Sequence, residues 1–371
     1  MISNPDRTVV DPDRREAFVG RLFTALIGTF ELFSIYLGHR LGFYEALRDG
    51  RSVTSPGLAG QTQTDERQVR EWLEQQAAAG ILEVEDAAAE PDVRRFWLSA
   101  AHAEVLTDER SLFYLLPFAR FAAGMARPMD LVIESFRSGK GVAWADYGVD
   151  FREGQAAQNR PAFEHLLGSE WLPAVPAIND RLRSDPPARV ADVACGAGWS
   201  TVAIARAYPN ATVEGFDLDG PSIELARANL ATERPTLTER ISFREADISD
   251  PALAGTYDLV TIFEALHDMT KPVEALAAIR RMLVPGGSVF IGDERTEAAF
   301  TAPASDLERL FYGFSVLCCL PAGLVDDGSA GTGTVLRAST LERYAREAGY
   351  ASVEVLPIDH DSFRFYRLQA E

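Results

Sequence analysis

The chain has 371 residues, 47% of them hydrophobic and 25% charged, which is enough apolar material for two cores and the profile of an ordinary soluble protein. A net charge of -19 repels phosphate backbones, so nucleic acid is an unsuitable partner and a neutral or cationic small molecule a better one. Three cysteines, Cys195, Cys318 and Cys319, form neither a C-x-x-C pair nor an even disulfide framework, and Asn4 to Arg15 is too polar for a secretory leader, so a reducing cytoplasm is expected.

The first predicted elements are two helices over 16–48. Leu22 to Gly38 is apolar enough to raise a membrane span, but Glu31 interrupts it, and a buried dimer or core helix is expected. A helix from Glu66 follows, with Asp65 and Gln68 spaced as a capping box and Gly80 beyond its end. ILEVE, a turn over 86–92 and VRRFWLS read as a hairpin, and two helices before a hairpin make a winged helix. Asp65, Glu66, Glu71 and Glu74 outnumber Arg67 and Arg70 on the helix that would read DNA, so dimerisation or lid formation is the expected role. Residues 111–182 read as helical, broken at 139–141 and around Pro161. Their Tyr147 and Trp171, with the later Tyr312 and Phe314, are either an acceptor pocket or plain packing.

From Arg189 strands and helices alternate, the pattern of a parallel sheet covered on both faces. RVADVACGAGWS at 189–200 runs a buried strand into a glycine turn and then a helix whose first N–H groups are free. Gly196 and Gly198 let the backbone bend and approach a ligand closely. Asp217 ends a second strand, TVEGFD, at the separation expected of a carboxylate that grips ribose hydroxyls, with Leu218 beside it. Helices are expected to start at Gly220-Pro221, at Pro272, at Leu307 and at a Ser339/Glu342 capping box. ASVEVLPI and SFRFYRL close the sheet as an antiparallel hairpin.

The set Asp192, Ala194, Gly196 and Gly198 resembles the first signature of class I S-adenosylmethionine-dependent methyltransferases, with Ala194 in place of the usual first glycine. FREADI at 243–248, YDLVTIFEALHDM at 257–269 and LVPGGSVFIGDE at 283–294 resemble the later motifs in order. Residues 38–110 resemble the winged-helix segment that precedes many bacterial methyltransferases of this kind. The resemblance implies an α/β, Rossmann-like domain with a mostly parallel seven-stranded sheet. The expected division is a winged-helix and dimerisation domain at 1–110, a helical linker and lid at 111–185 and the methyltransferase domain at 186–371.

It further implies S-adenosyl-L-methionine as cofactor, held by Asp192, Ala194, Cys195, Gly196, Gly198, Asp217 and Leu218. Asp247 would hydrogen-bond the adenine amino group and Ile248 would pack on its ring, while Phe263 and Glu264 would line the methionine end. Cys195 reads otherwise as a small side chain filling a tight turn.

No metal is expected, since the five histidines show no H-x-x-x-H or H-E-x-x-H spacing. A hydroxyl acceptor needs a base, and the His267-Asp268 pair resembles the one that supplies it in small-molecule O-methyltransferases. His267 reads equally as a cap for the loop before Pro272. Asp293 and Glu294 face either the acceptor or solvent. The expected function is therefore O-methylation of a phenol or similar hydroxyl in a homodimer. The alternatives are N- or C-methylation, use of the fold without methyl transfer, or a cofactor-sensing regulator.

Overall fold

The computed structural model describes residues 9–248 and 250–370; the first residues of the polar run from Asn4 lie outside them. The chain divides into two units, Met1–Ala123 and Gly124–Glu371.

In the first unit α1 (Pro12–Arg40) starts where Asp11 accepts hydrogen bonds from the backbone N–H groups of Asp13 and Arg14. The short α2 (Phe43–Leu47) and α3 (Ser55–Thr62) lead to α4 (Glu66–Ala78), whose Asp65 cap accepts from Gln68 N–H at 3.1 Å. Trp72 of α4 packs on Phe43 and Tyr44, with ring centroids 4.7 and 5.3 Å away, and its indole donates to Ser34 carbonyl at 3.0 Å. A side chain at Gly38 would meet Trp72 at 2.3 Å, so α1 is seated there by a glycine. The wing is shorter than its sequence suggests, with β1 (Glu83–Val84) pairing antiparallel to β2 (Phe96–Trp97) and Val53 bridging to Phe96. Helix α5 (Ala100–Thr107) follows.

The core-helix expectation for Leu22 to Gly38 is overturned, because Gly38 is the only buried residue of α1. Phe18, Phe23 and Phe30 are 54%, 64% and 61% exposed. By length and composition α1 also suffices to cross a membrane.

Helix α6 (Pro117–Ala126) carries the chain into the second unit, where α7 (Met129–Ser138) stops at Gly139 with φ +74°. Helix α8 (Gly148–Ala162) does not break at Pro161 as its sequence suggests. The missing N–H and ring bulk of Pro161 are absorbed by a wider π-helical stretch, Phe163–Trp171, that continues the same helix. After α9 (Pro176–Arg183) come β3 (Arg189–Val193), α10 (Trp199–Ala207), β4 (Thr212–Asp217), α11 (Gly220–Leu230), α12 (Pro235–Thr238) and β5 (Ile241–Glu245). Then follow β6 (Tyr257–Phe263), α13 (Pro272–Met282), β7 (Leu283–Glu294) and α14 (Asp306–Phe314). A π-helical run Ser315–Cys319, α15 (Leu320–Ala322), α16 (Ala338–Glu347), β8 (Ser352–Val355) and β9 (Phe363–Gln369) complete the chain.

The strands form one sheet in the order β5-β4-β3-β6-β7-β9-β8, parallel from β5 to β7, with β9 antiparallel to both neighbours. Alternate residues feed two cores, so Val190 and Leu259 pack on one face with Trp171 and Phe365, and Ala191 and Val260 on the other with Leu276 and Tyr366. The chain leaves β3 toward β4 on one side and returns through β6 on the other. That strand-order reversal opens a crevice at the carboxyl ends of β3 and β6.

One capping expectation is corrected. Helix α16 begins after Arg337 with no side-chain cap, which puts Ser339 inside the first turn; serine caps stand instead on α5, where His102 N–H donates to Ser99 Oγ at 3.3 Å, and on α14, where Glu308 N–H donates to Ser305 Oγ at 3.3 Å.

Candidate active site

At the carboxyl end of β3 the backbone turns through Ala194, Gly196 and Gly198 with φ of +55°, +51° and +80°. A side chain at Gly198 would meet Phe243 at 2.4 Å, whereas at Gly196 it would enter open space, so the second glycine serves packing and the first leaves room for a ligand. Ala194 is left-handed without being glycine, a strain that its sequence does not announce.

Asp217 holds this turn, accepting from Gly196 N–H at 2.8 Å and from Asp219 N–H at 2.9 Å. Burial pushes its carboxyl above the usual range, and those two donors pull it back. Asp192 is buried and accepts from Ser200, Thr201 and Thr261 hydroxyls at 2.6, 2.6 and 2.7 Å, binding β3 to α10 and β6. The Cys195 thiol is raised well above its ordinary value, first by burial and then by Asp192 and Asp217, which suits turn packing and not nucleophilic chemistry. Leu218 and Asp247 are exposed beside the turn, and Ile248 is half-buried against the core.

Beyond β6, Glu264 also has a positive φ, +48°, and its carboxylate accepts from Gln155 at 2.9 Å and from Asn159, both on α8. Phe263 before it points into the core against Phe163, 5.1 Å between ring centroids. His267 is buried in a short turn, with Nδ1 2.9 Å from Asp293 Oδ1 and 3.0 Å from Glu294 Oε2, and Nε2 3.3 Å from Asp268 Oδ1. Burial alone would lower the His267 pKa, but Glu294, Asp268 and Asp293 together raise it well above the imidazole range. Burial raises Asp293 too, yet His267 outweighs it and leaves that carboxyl below the usual range; Glu294, with burial dominant, is pushed well up, although His267 pulls it back.

Two groups, His267/Asp293/Glu294 and His267/Asp268/Cys319, bring ligand-type atoms within 4.8 Å, a proximity that histidine spacing did not reveal. Nδ1 already hydrogen-bonds Asp293 Oδ1, whereas Nε2 lies 3.3 Å from Asp268 Oδ1 without a hydrogen bond. Trp171 and Tyr147 belong to packing: the first is buried among Phe263, Phe363 and Phe365, and the second donates to Leu317 carbonyl at 3.0 Å.

Comparison with known proteins agrees with this fold. A methyltransferase domain model matches residues 190–287, and an Rv2258c-like winged HTH domain model matches 31–108. The ubiquinone biosynthesis O-methyltransferase of Thiobacillus denitrificans is 30% identical over 185 residues, 49% of this chain and 73% of that relative. The chain belongs to the S-adenosylmethionine-dependent methyltransferases. Among solved structures, the mitomycin 7-O-methyltransferase MmcR shares the methyltransferase's fold with a TM-score of 0.68 and 21% identity, over 97% of this chain and 100% of that one. Human N-acetylserotonin methyltransferase in complex with SAM aligns with a TM-score of 0.68 and 15% identity, over 98% and 99%.

S-adenosylmethionine is accordingly the cofactor, and the crevice of the methyltransferase fits it. The vacant space at Gly196, the exposed Leu218 and the carboxylates of Asp217 and Asp247 lie at one rim, with Glu264 across it on the end of β6. Arg152, Gln155 and Asn159 are functional candidates that sequence reasoning missed. Arg152 of α8 pairs with both oxygens of Asp219, the α11 cap, at 2.6 and 3.1 Å, which ties α8 to the β4 side of the crevice. The available signal was three polar residues at positions 152, 155 and 159, one face of a helix.

Proposed function

We propose that the protein methylates a hydroxyl group, phenolic or similar, on a small molecule, with His267 as the base. The observation that carries this is the His267–Asp293 pair, 2.9 Å apart and buried at the carboxyl end of the sheet beside the crevice. S-adenosylmethionine supplies a methyl group on a sulfonium, an electrophile that needs a deprotonated oxygen. Asp217 and the Gly196 turn bind its adenosyl part, with Leu218, Asp247 and Ile248 around it. Asp192 acts at one remove, by holding the turn through three hydroxyls.

Asp293 accepts the Nδ1 proton of His267, which fixes the ring and leaves Nε2 to take the acceptor's proton. Asp268, on the Nε2 side, stabilises the imidazolium that results. Because the surrounding carboxylates raise the His267 pKa, the competent neutral ring gains population as pH rises, and turnover rises with it. The similarity to a mitomycin 7-O-methyltransferase and to a ubiquinone biosynthesis O-methyltransferase supports an oxygen acceptor. A second reading, an amine acceptor, is favoured by the surplus of carboxylates around His267, which suits a cation.

We read residues 111–185 as linker and lid over a domain at 186–371, and the winged-helix region at 1–110 as a dimerisation element in a cytoplasmic homodimer. A second copy would cover the exposed phenylalanines of α1. In α4 the arginines are both neutralised by the same helix, Arg67 by Glu71 and Arg70 by Glu66, which speaks against a phosphate-facing role. The test is methyl transfer from labelled cofactor to a panel of phenols by His267→Ala. Turnover falls by about 10²–10⁴ with cofactor binding retained; a loss of only a few-fold removes the base assignment and favours the amine.

A further inference from the structure

Ala194 and Glu264 are two of the three non-glycine residues with positive φ among those described, and they follow the adjacent parallel strands β3 and β6. A left-handed backbone is disfavoured for a residue that carries a side chain, so the fold keeps Glu264 in this geometry against a preference. Its N–H donates to Gly292 carbonyl at 2.8 Å, which anchors the bend, and its carboxylate turns toward α8. There it meets only neutral donors, the side-chain amides of Gln155 and Asn159.

Among the described residues no arginine or lysine forms an ion pair with Glu264. Nearby cations are committed elsewhere: Arg152 to Asp219, Arg160 to Glu164 and the Trp199 ring, and His267 to Asp293, Glu294 and Asp268. An enclosed carboxylate given two amides and no cation is incompletely neutralised, and it sits at the rim assigned to a cofactor that carries a positive sulfur.

We propose that Glu264 is the counter-charge for the positive charge that distinguishes S-adenosylmethionine from S-adenosylhomocysteine, so that the site prefers the charged cofactor over its own product. The inference rests on placing the cofactor at the β3–β6 edge. Product release follows from the same contrast, because loss of the charge on methyl transfer removes what Glu264 attracts.

The preference depends on pH. The groups acting on Glu264 are Asn159 and Gln155 from α8, His267 and Asp268 from the turn after β6, and Asp293 from β7. Burial pushes its carboxyl up to about 7; Asn159 and His267 pull it down, and Asp293 and Asp268 push it up. Above that value the carboxylate is charged and discriminates. Below it the group is neutral, and binding the charged cofactor must expel a proton.

Calorimetry on the full chain with both compounds, in buffers of different ionisation enthalpy, tests this without turnover. The wild type prefers S-adenosylmethionine by about tenfold near pH 8, the preference shrinks near pH 6, and proton release accompanies that ligand alone. Glu264→Gln loses the tenfold preference and its pH dependence but binds S-adenosylhomocysteine as before, which also reports that the variant is folded. Asn159→Leu removes one donor and moves the onset of the preference to higher pH. Equal weakening of both ligands in Glu264→Gln, or a wild-type preference that ignores pH, overturns the proposal. A wild type that binds neither compound instead overturns the placement of the cofactor.

Discussion

Asp192 and Asp293 close two strands of one sheet and are equally buried, each 1% exposed, yet they live in opposite circumstances. Both oxygens of Asp192 are occupied by hydroxyls, three in all, whereas Asp293 faces an imidazole through Oδ1 and leaves Oδ2 without a hydrogen bond. A saturated polar network fixes shape, and an under-satisfied one stores a capacity to bind or to move a proton. The β3 edge is of the first kind and the β6–β7 edge of the second, so perturbing them is expected to damage different properties.

The largest effect expected from this contrast is on stability. Asp192→Ala leaves three hydroxyls without their acceptor in a dry site and costs about 3 kcal/mol in denaturant unfolding, together with cofactor binding. A variant that unfolds like the wild type would show that the network is dispensable. Asp293→Asn is the opposite case, since unfolding changes little while the plateau rate falls by about a hundredfold. Asp293 raises the His267 pKa, so removing its charge lowers that pKa and moves the ascending limb of the pH–rate profile to lower pH. A limb that stays in place or moves upward breaks the assignment.

Gly198→Ala sharpens the contrast within the β3 edge. The new methyl group meets Phe243 at 2.4 Å in a left-handed backbone, so about 1–3 kcal/mol of stability is lost, with weaker cofactor binding in calorimetry. Gly196→Ala, with open space at the same atom, weakens binding more than it weakens the fold. The smallest effects compare two serines: Ser305→Ala removes a helix cap and costs about 1 kcal/mol, while Ser339→Ala stays within about 0.5 kcal/mol in thermal unfolding.

Much of the fold was legible because it depends on local rules. Alternating strands and helices from Arg189, proline at the first turns of α11 and α13, Asp65 as a cap and the closing β8–β9 hairpin follow from periodicity and backbone chemistry. The glycine turn and Asp217 were legible for the same reason, since a close backbone approach and a paired carboxylate at a fixed separation leave a mark in sequence. Local rules failed where a tertiary neighbour intervened. Pro161 is carried inside a continuous helix, and α16 starts before the serine that its spacing nominates.

The sequence alone therefore determined the family, the cofactor and the strand ends at which chemistry gathers, because those rest on residues close together along the chain. Only the tertiary structure decided that α1 turns its phenylalanines outward and that Gln155 and Asn159 reach Glu264 from more than a hundred residues away. It also decided that His267 is held among Asp268, Asp293 and Glu294. The charge state of an imidazole or a carboxylate is set by the groups within a few ångströms of it, and those arrive from strands and helices that sequence distance does not relate.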